Sequence, residues 1–402
     1  MHNSGMGTHA SRVAAVVPVR AHRLSMLVAA LLGLGGLLAA CGPEAPGPAG
    51  RNDPAAASAD APAVSGGGSG SATSSSLEPP PDIPEAWEPL IGEYSRGADT
   101  VSIMEDGQEL KYLRWNGGRS VARLENDTTL VVNGVDGPVI LRREGSQGGD
   151  PGAGSADGEE SARVTALVVE GRILSRLGFG AEGGRTFRID PVRPVDELRT
   201  EALAAAPPRE EGDFRESELV ELTSLDPTIE LDIRYASDDN FMGTRFYESP
   251  RAFLQRPAAE ALLRAHRWLM AQGYGVMVFD GYRPWHVTKM FWDATPDSLK
   301  GFVANPASGS RHNRGGAVDL TLYDLETGEP VATPTGYDEF SPRAYSFYRG
   351  GTMRERWFRR LLRIAMESEG FAVYESEWWH FDHEDWRHYR IQNDRFEELG
   401  ED

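Results

Sequence analysis

The chain has 402 residues, more than one ordinary domain needs. Its formal net charge is −20, a balance that disfavours nucleic acid or an anionic membrane surface as a partner. The single cysteine, Cys41, excludes an intramolecular disulfide and a Cys-rich structural zinc site.

In chain order, Arg20 and Arg23 come first, ahead of the apolar stretch "LSMLVAALLGLGGLLAAC". A basic segment, an apolar run and small residues form an export signal over residues 1–40. The run closes on Leu38-Ala39-Ala40-Cys41, which resembles the bacterial lipoprotein signal. That resemblance implies Cys41 as the lipidated first residue of the mature chain. The alternative is a plain transmembrane anchor, but the run is glycine-rich and barely long enough to span. With Gly42 and not aspartate after the cysteine, the resemblance further implies an outer-membrane anchor facing the periplasm. Residues 41–85 are rich in Ala, Gly, Pro and Ser, with few apolar residues to bury. They read as a disordered tether.

From Trp87 the pattern changes to short, alternating, β-branched segments: "IGEYSRGADTVSIMED", "LKYLRW", "SVARLEN", "TLVVNG", "VILRRE", "RVTALVVEG" and "RTFRI". They predict a small all-β domain within residues 86–200, interrupted by a polar loop from Gly145 to Glu160. Its opening weakly resembles lipocalin-like domains, and it shows no metal or nucleophile pattern. "APPREEGDF" then reads as a linker.

Residues 215–402 mix both periodicities. "TIELDIRYA" and "YGVMVFDG" read as strands. "RPAAEALLRAHRWLMAQG" reads as a helix with Ala258, Leu262, Ala265 and Leu269 inward, Pro257 at its start and Gly273 past its end. "MRERWFRRLLRIAMESEG" predicts a second helix burying Trp357, Leu361, Ile364 and Ala365. "FAVYESEWWHF" begins as a strand. The expected class is α+β, an antiparallel sheet with flanking helices.

Of nine histidines, His2, His9 and His22 fall in the signal region. His266 reads as an ordinary helix histidine, His286 as a surface residue, and His383 and His388 as part of a polar tail. His312 and His380 remain. His312 precedes Arg314-Gly315-Gly316, a turn suited to close backbone approach. In the following strand, Val318, Leu320 and Leu322 share one face, and Ala317, Asp319 and Thr321 the other. A mid-strand carboxylate is costly to bury unless it is paired or ligates a metal. Two imidazoles and one carboxylate are a three-ligand zinc set with an open position, the pattern of catalytic zinc. Glu377, three residues before His380, can accept a proton from water there if it faces the site. Its spacing alone leaves that direction open.

"DGYRP", "SRHNRGGAVDLTLYDLETGE" and "EWWH", in this order and spacing, resemble the D-alanyl-D-alanine dipeptidases of the vancomycin-resistance type, within the zinc D-Ala-D-Ala peptidase superfamily. The resemblance runs from about Leu219 to the C-terminus. It implies one zinc ion on His312, Asp319 and His380, with Glu377 as general base. Arg283 would stabilise the tetrahedral intermediate. It further implies Asp338 as acceptor of the substrate ammonium, and Tyr235 and Ser310 as substrate contacts. Arg311 departs from the pattern, which has a small polar residue there, and "WWHFDH" also continues differently. The expected activity is hydrolysis of the D-Ala-D-Ala dipeptide in cell-wall turnover. A D,D-carboxypeptidase trimming stem peptides and a non-catalytic wall-binding lipoprotein are the alternatives. The oligomeric state is not written in the sequence.

Overall fold

The computed structural model describes residues 78–114, 118–144, 163–178 and 186–399. The signal segment, Cys41, most of the tether and the Gly145–Glu160 loop lie outside the described residues.

Eight antiparallel strands form a closed barrel: β1 (Gly92–Arg96), β2 (Asp99–Glu105), β3 (Leu110–Arg114), β4 (Arg119–Asn126), β5 (Thr129–Val132), β6 (Val139–Arg143), β7 (Val164–Val169) and β8 (Arg172–Arg176). Each strand pairs with the next, and β8 returns to β1 through Tyr94 opposite Arg176. Closure leaves no unpaired sheet edge. Leu90, Tyr94, Ile103, Leu110, Leu130 and Leu167 fill the interior.

The all-β character does not extend to residue 200. Residues 186–191, with most of "RTFRI", form no strand, and α1 (Val195–Ala204) is a helix. Ile189, Leu198 and Ala202 bury into the second core instead, because α1 packs on the helix at Trp285–Ala294. The 206–214 segment is irregular but does not link two domains: α1 before it and Leu219 after it pack on the same core, and Glu210 is held there by Arg314 and the Ile391 amide.

The second core continues through β9 (Leu219–Glu221), α2 (Leu222–Leu225), β10 (Glu230–Leu231), β11 (Phe253–Gln255), α3 (Arg256–Met270), β12 (Tyr274–Asp280), α4 (Trp285–Ala294), β13 (Ala317–Asp324), α5 (Met353–Glu367), β14 (Phe371–Tyr374) and β15 (Glu377–His383). Five strands form one sheet in the order β10-β12-β13-β15-β14, and β9 pairs with β11 separately. The sheet is mixed and not wholly antiparallel: β10 runs parallel to β12. The chain between them includes α3, and parallel neighbours require such a crossover.

Helix α3 buries Ala258, Leu262, Ala265 and Leu269 as its spacing predicts. Helix α5 starts with a capping box in which Thr352 and Glu355 satisfy each other's backbone amides. It buries Phe358, Leu361, Leu362, Ala365 and Met366. Ile364, expected inward, is 38% exposed: the buried face runs through Phe358 and Leu362, which turns Ile364 outward.

The barrel and the second core touch through the start of α5. The buried Glu105 carboxylate accepts the Met353 amide at 2.6 Å, and the Glu105 carbonyl accepts from Arg356. Tyr348 donates to Glu93 at 2.8 Å. A helix N-terminus has unsatisfied amides and a positive dipole end, so a carboxylate is a favourable partner there.

Candidate active site

Strand register brings the site together. On β13, Asp319 lies opposite Asp280 of β12 on one side and opposite His380 of β15 on the other. Val318, Leu320 and Leu322 point the other way, into the core. Side chains directly opposite on one face are close neighbours, so three polar residues distant in sequence form one row.

His312 arrives from the turn before β13. Gly315 takes φ +67°, a left-handed conformation that β-carbon-bearing residues seldom adopt. A Cβ at Gly316 would lie 2.5 Å from the Trp386 side chain, so the backbone there must stay bare. The Ser310 hydroxyl accepts the His312 amide at 3.2 Å and helps to hold the turn.

His312, Asp319 and His380 are all buried, with one potential ligand atom from each lying within 4.8 Å of the others. His312 Nε2 is 3.0 Å from His380 Nδ1 and 3.3 Å from Asp319 Oδ1. His380 Nδ1 is 2.9 Å from the same oxygen. The outer nitrogens settle the tautomers. His312 Nδ1–H donates to the Gly281 carbonyl at 2.7 Å. His380 Nε2–H donates to Asp382 Oδ1 at 2.9 Å. A neutral ring so held turns its inner lone pair toward Asp319; burial lowers the His380 pKa, but the Asp382 and Asp319 carboxylates more than reverse this and raise it well above its ordinary value. The two inner nitrogens and Asp319 Oδ1 thus converge on one buried point, where either a proton or a metal cation would join them. The donor set, two imidazoles and one carboxylate with the rings held from outside, fits a divalent metal ion.

Charge is balanced by Arg283. Its Nε donates to Asp280 at 2.7 Å and its Nη2 lies 3.6 Å from Asp319 Oδ2. The guanidinium also sits over the rings of Tyr235 and Phe291. Burial raises the Asp319 carboxyl, but His312 and His380 more than reverse this and hold it well below the usual carboxylate range.

Glu377 begins β15. The β14–β15 pairing is irregular at this point, passing from Val373–Phe381 to Tyr374–Glu377. Such an irregularity re-aims side chains. Glu377 Oε2 comes to 3.7 Å from His380 Nδ1, which settles its direction toward the site. Burial pushes its carboxyl up to about 7.

Asp338 is buried at φ +56°. Tyr235 donates to its Oδ2 at 2.6 Å. Burial lifts its carboxyl well above the ordinary value. Tyr337 donates to Asp319 Oδ2 at 2.9 Å and lies 3.3 Å from the Tyr235 hydroxyl. Two tyrosine hydroxyls thus separate Asp338 from the metal-ligand set.

All eight predicted site residues of the second domain belong to this neighbourhood, and Cys41 lies outside the described residues. Sequence reasoning missed Asp280, Tyr337 and Asp382. Asp382 had a signal, since residues two apart on a strand share a face. Two histidines are placed differently from expectation. His286 is buried, with its amide donating to Asn393, because α4 packs inward along most of its length. His383 is buried against Phe371 as the last residue of β15 and not in a polar tail.

A family model described as D-ala-D-ala dipeptidase matches residues 215–400, a span that excludes the barrel. The D-alanyl-D-alanine dipeptidase of Escherichia coli (strain K12) is 33% identical over 180 residues, covering 45% of this chain and 92% of that protein. The D-alanyl-D-alanine dipeptidase of Enterococcus faecium is 37% identical over 171 residues, covering 37% of this chain and 83% of that protein. That of Streptomyces coelicolor is 34% identical over 174 residues, covering 38% of this chain and 85% of that protein. With the matched span carrying the whole His/Asp/His neighbourhood, the chain belongs to the D-Ala-D-Ala dipeptidase family of peptidases.

Proposed function

We propose that this protein is a zinc-dependent dipeptidase that hydrolyses D-alanyl-D-alanine to two D-alanines. The observation that carries the reading is the placing of Asp338, a buried carboxylate two tyrosine hydroxyls from the His/Asp/His set. A buried carboxylate near a reacting centre favours a ligand that brings its own cation. The free ammonium of a dipeptide does so. An acylated stem peptide does not, which weighs against a D,D-carboxypeptidase.

His312, Asp319 and His380 would hold one zinc ion. When bound, zinc supplies Lewis acidity to the scissile carbonyl and the attacking water. The remaining roles fall to side chains. Glu377, its carboxyl raised to about 7, takes a proton from the water and passes it to the departing amine near neutral pH. Arg283 presents its guanidinium to the developing oxyanion, a contribution on the order of 10²–10³ in rate for one such donor. Asp338 receives the substrate ammonium. Tyr235 orients Asp338, and Ser310 offers a hydroxyl beside His312.

The test is a peptide panel on the full chain, with and without a chelator. D-Ala-D-Ala should release D-alanine, chelation should stop this, and added zinc should restore it. Release from a stem pentapeptide but not from the dipeptide would establish a carboxypeptidase instead. No turnover of either by the zinc-loaded chain would leave a wall-binding protein. We further propose lipidation at Cys41 and an outer-membrane site facing the periplasm, where the substrate is dipeptide freed by wall turnover. Cys41→Ser should move the protein from the membrane to the soluble fraction. Recovery of wild type from the cytosol with an uncleaved N-terminus would refute that location.

A further inference from the structure

Arg311, next to His312 in the chain, has a defined place beside Asp382. We propose that Arg311 is a positioning residue for the metal centre: acting through Asp382, it locks His380 with Nδ1 turned toward the other two ligands. This role rests on His312, Asp319 and His380 holding a metal ion.

A histidine offers a metal one lone pair, and a ring flip or a tautomer change would present the wrong nitrogen. Asp382 prevents both. It lies two residues past His380 on the same strand face, with Oδ1 2.9 Å from Nε2. An ionised carboxylate only accepts, so Nε2 carries a proton, and a metal ion in place of the proton between Nδ1 and Asp319 Oδ1 would meet the Nδ1 lone pair already turned toward it.

Asp382 is in turn held by Arg311, whose Nε lies 3.2 Å from Oδ2. The guanidinium sits over two rings, 5.4 Å from the centroid of Tyr374 and 5.2 Å from that of Trp386. Such stacking suits the planar guanidinium and keeps its charge beside the Asp382 carboxylate. Tyr374 itself packs against the His380 ring, at 5.5 Å between centroids. The Trp386 backbone and Cβ lie against Gly316. Arg311 directly precedes His312 in the chain, so one side chain ties the His312 turn to the strand bearing His380. Arg311 and Asp382 thus serve each other across the turn and the strand.

The experiment measures zinc dissociation by competition with a chromophoric chelator. It uses the full wild-type chain, Arg311→Ser, Arg311→Lys, Asp382→Asn and the Arg311→Ser/Asp382→Asn double variant. Loss of a partner behind a metal-bound histidine weakens metal binding by about 10- to 100-fold. Asp382→Asn should show such a loss, and Arg311→Ser, which is one residue further out and 37% exposed, a smaller one in the same direction. The double variant should bind zinc no more weakly than Asp382→Asn alone, because Arg311 acts through Asp382. Arg311→Lys, lacking the stacked planar guanidinium, should lose part of the affinity. At saturating zinc, KM should stay near wild type. Metal-free thermal unfolding of each variant shows whether the fold is intact. If Arg311→Ser does not fold, Arg311→Lys and Asp382→Asn decide. Unchanged zinc affinity in Arg311→Ser with a raised KM would make Arg311 a substrate contact and overturn the proposal. Fully additive losses in the double variant would overturn it too. A wild-type chain that takes up no zinc would remove the metal reading itself, whereas equal uptake by wild type and Arg311→Ser removes only the role of Arg311.

Discussion

Replacing Asp338 by Asn separates ammonium recognition from the rest of the site. The side chain is 8% exposed, and the Tyr235 hydroxyl that donates to it at 2.6 Å can donate equally to an amide oxygen. The variant therefore keeps its shape and loses only charge. A buried hydrogen bond to a charged partner contributes about 1.5–3 kcal/mol. Converted at 1.4 kcal/mol per decade, this is a loss of about 10- to 150-fold in kcat/KM for D-Ala-D-Ala. For N-acetyl-D-Ala-D-Ala, which has no ammonium, kcat/KM should hold or rise, because a neutral amide meets the acyl group without a desolvated charge. The assay is D-alanine release from both substrates by both proteins. Acidity adds a second readout. Burial raises the Asp338 carboxyl, so wild-type preference for the free dipeptide is present above that raised value. The preference should fade as pH falls through it, while the Asn variant shows no such trend. An equal loss on both substrates would refute the reasoning, since Asp338 would then be supporting the site and not reading the ammonium.

Three further outcomes follow from the same geometry. Glu377→Gln should retain zinc, measured by metal analysis, yet lose about 10²–10⁴ in kcat, the usual contribution of a positioned general base. Wild-type turnover by that variant would remove Glu377 from the proton path. Glu105→Ala takes from the first turn of α5 a carboxylate that accepts both the Met353 and Gln108 amides, and should cost about 1–3 kcal/mol in urea unfolding. An unchanged midpoint would mean that the barrel contact contributes nothing to α5. His266 is buried with Nδ1 accepting the Val276 amide at 3.1 Å, and burial lowers its pKa. The folded state thus binds this proton less readily than the unfolded chain does. Stability from His266 is full above its ordinary value of about 6.5 and is lost as pH falls from there through the lowered one. Urea midpoints should show this acid slope in wild type and a flatter one in His266→Gln.

The candidate site was legible where one side chain contradicts its local pattern. Asp319 stands out because a carboxylate inside an apolar strand needs a partner. His312 stands out beside a glycine pair whose conformations, a left-handed turn and a bare contact with Trp386, serve that close approach. The direction of Glu377 was not legible. Two strand residues three apart normally face away from each other, and only the irregular pairing of β14 with β15 turns it inward. Asp280 and Tyr337 look ordinary in their own segments. They gain meaning from neighbours that the sheet and the 331–340 segment bring to them. Ile364 and His286 show the same limit on helices, where apolar spacing marks a face but packing decides how wide it is.

By itself, the sequence determined which residues form the His/Asp/His set, the division into a β-rich part and an α+β part, and the helix limits at Pro257 and Gly273. These depend on local chemistry: charge burial, backbone freedom and side-chain period act within a few residues. Tertiary structure alone decided that the strands of the first part close into a barrel and that α1 joins the second core. It also decided that β10 runs parallel to β12, and that Asp280, Asp319 and His380 stand in one row. Each of those depends on which strand lies beside which and in what register. Register is set by the burial of whole faces at once, a property of the assembled sheet that no single segment carries.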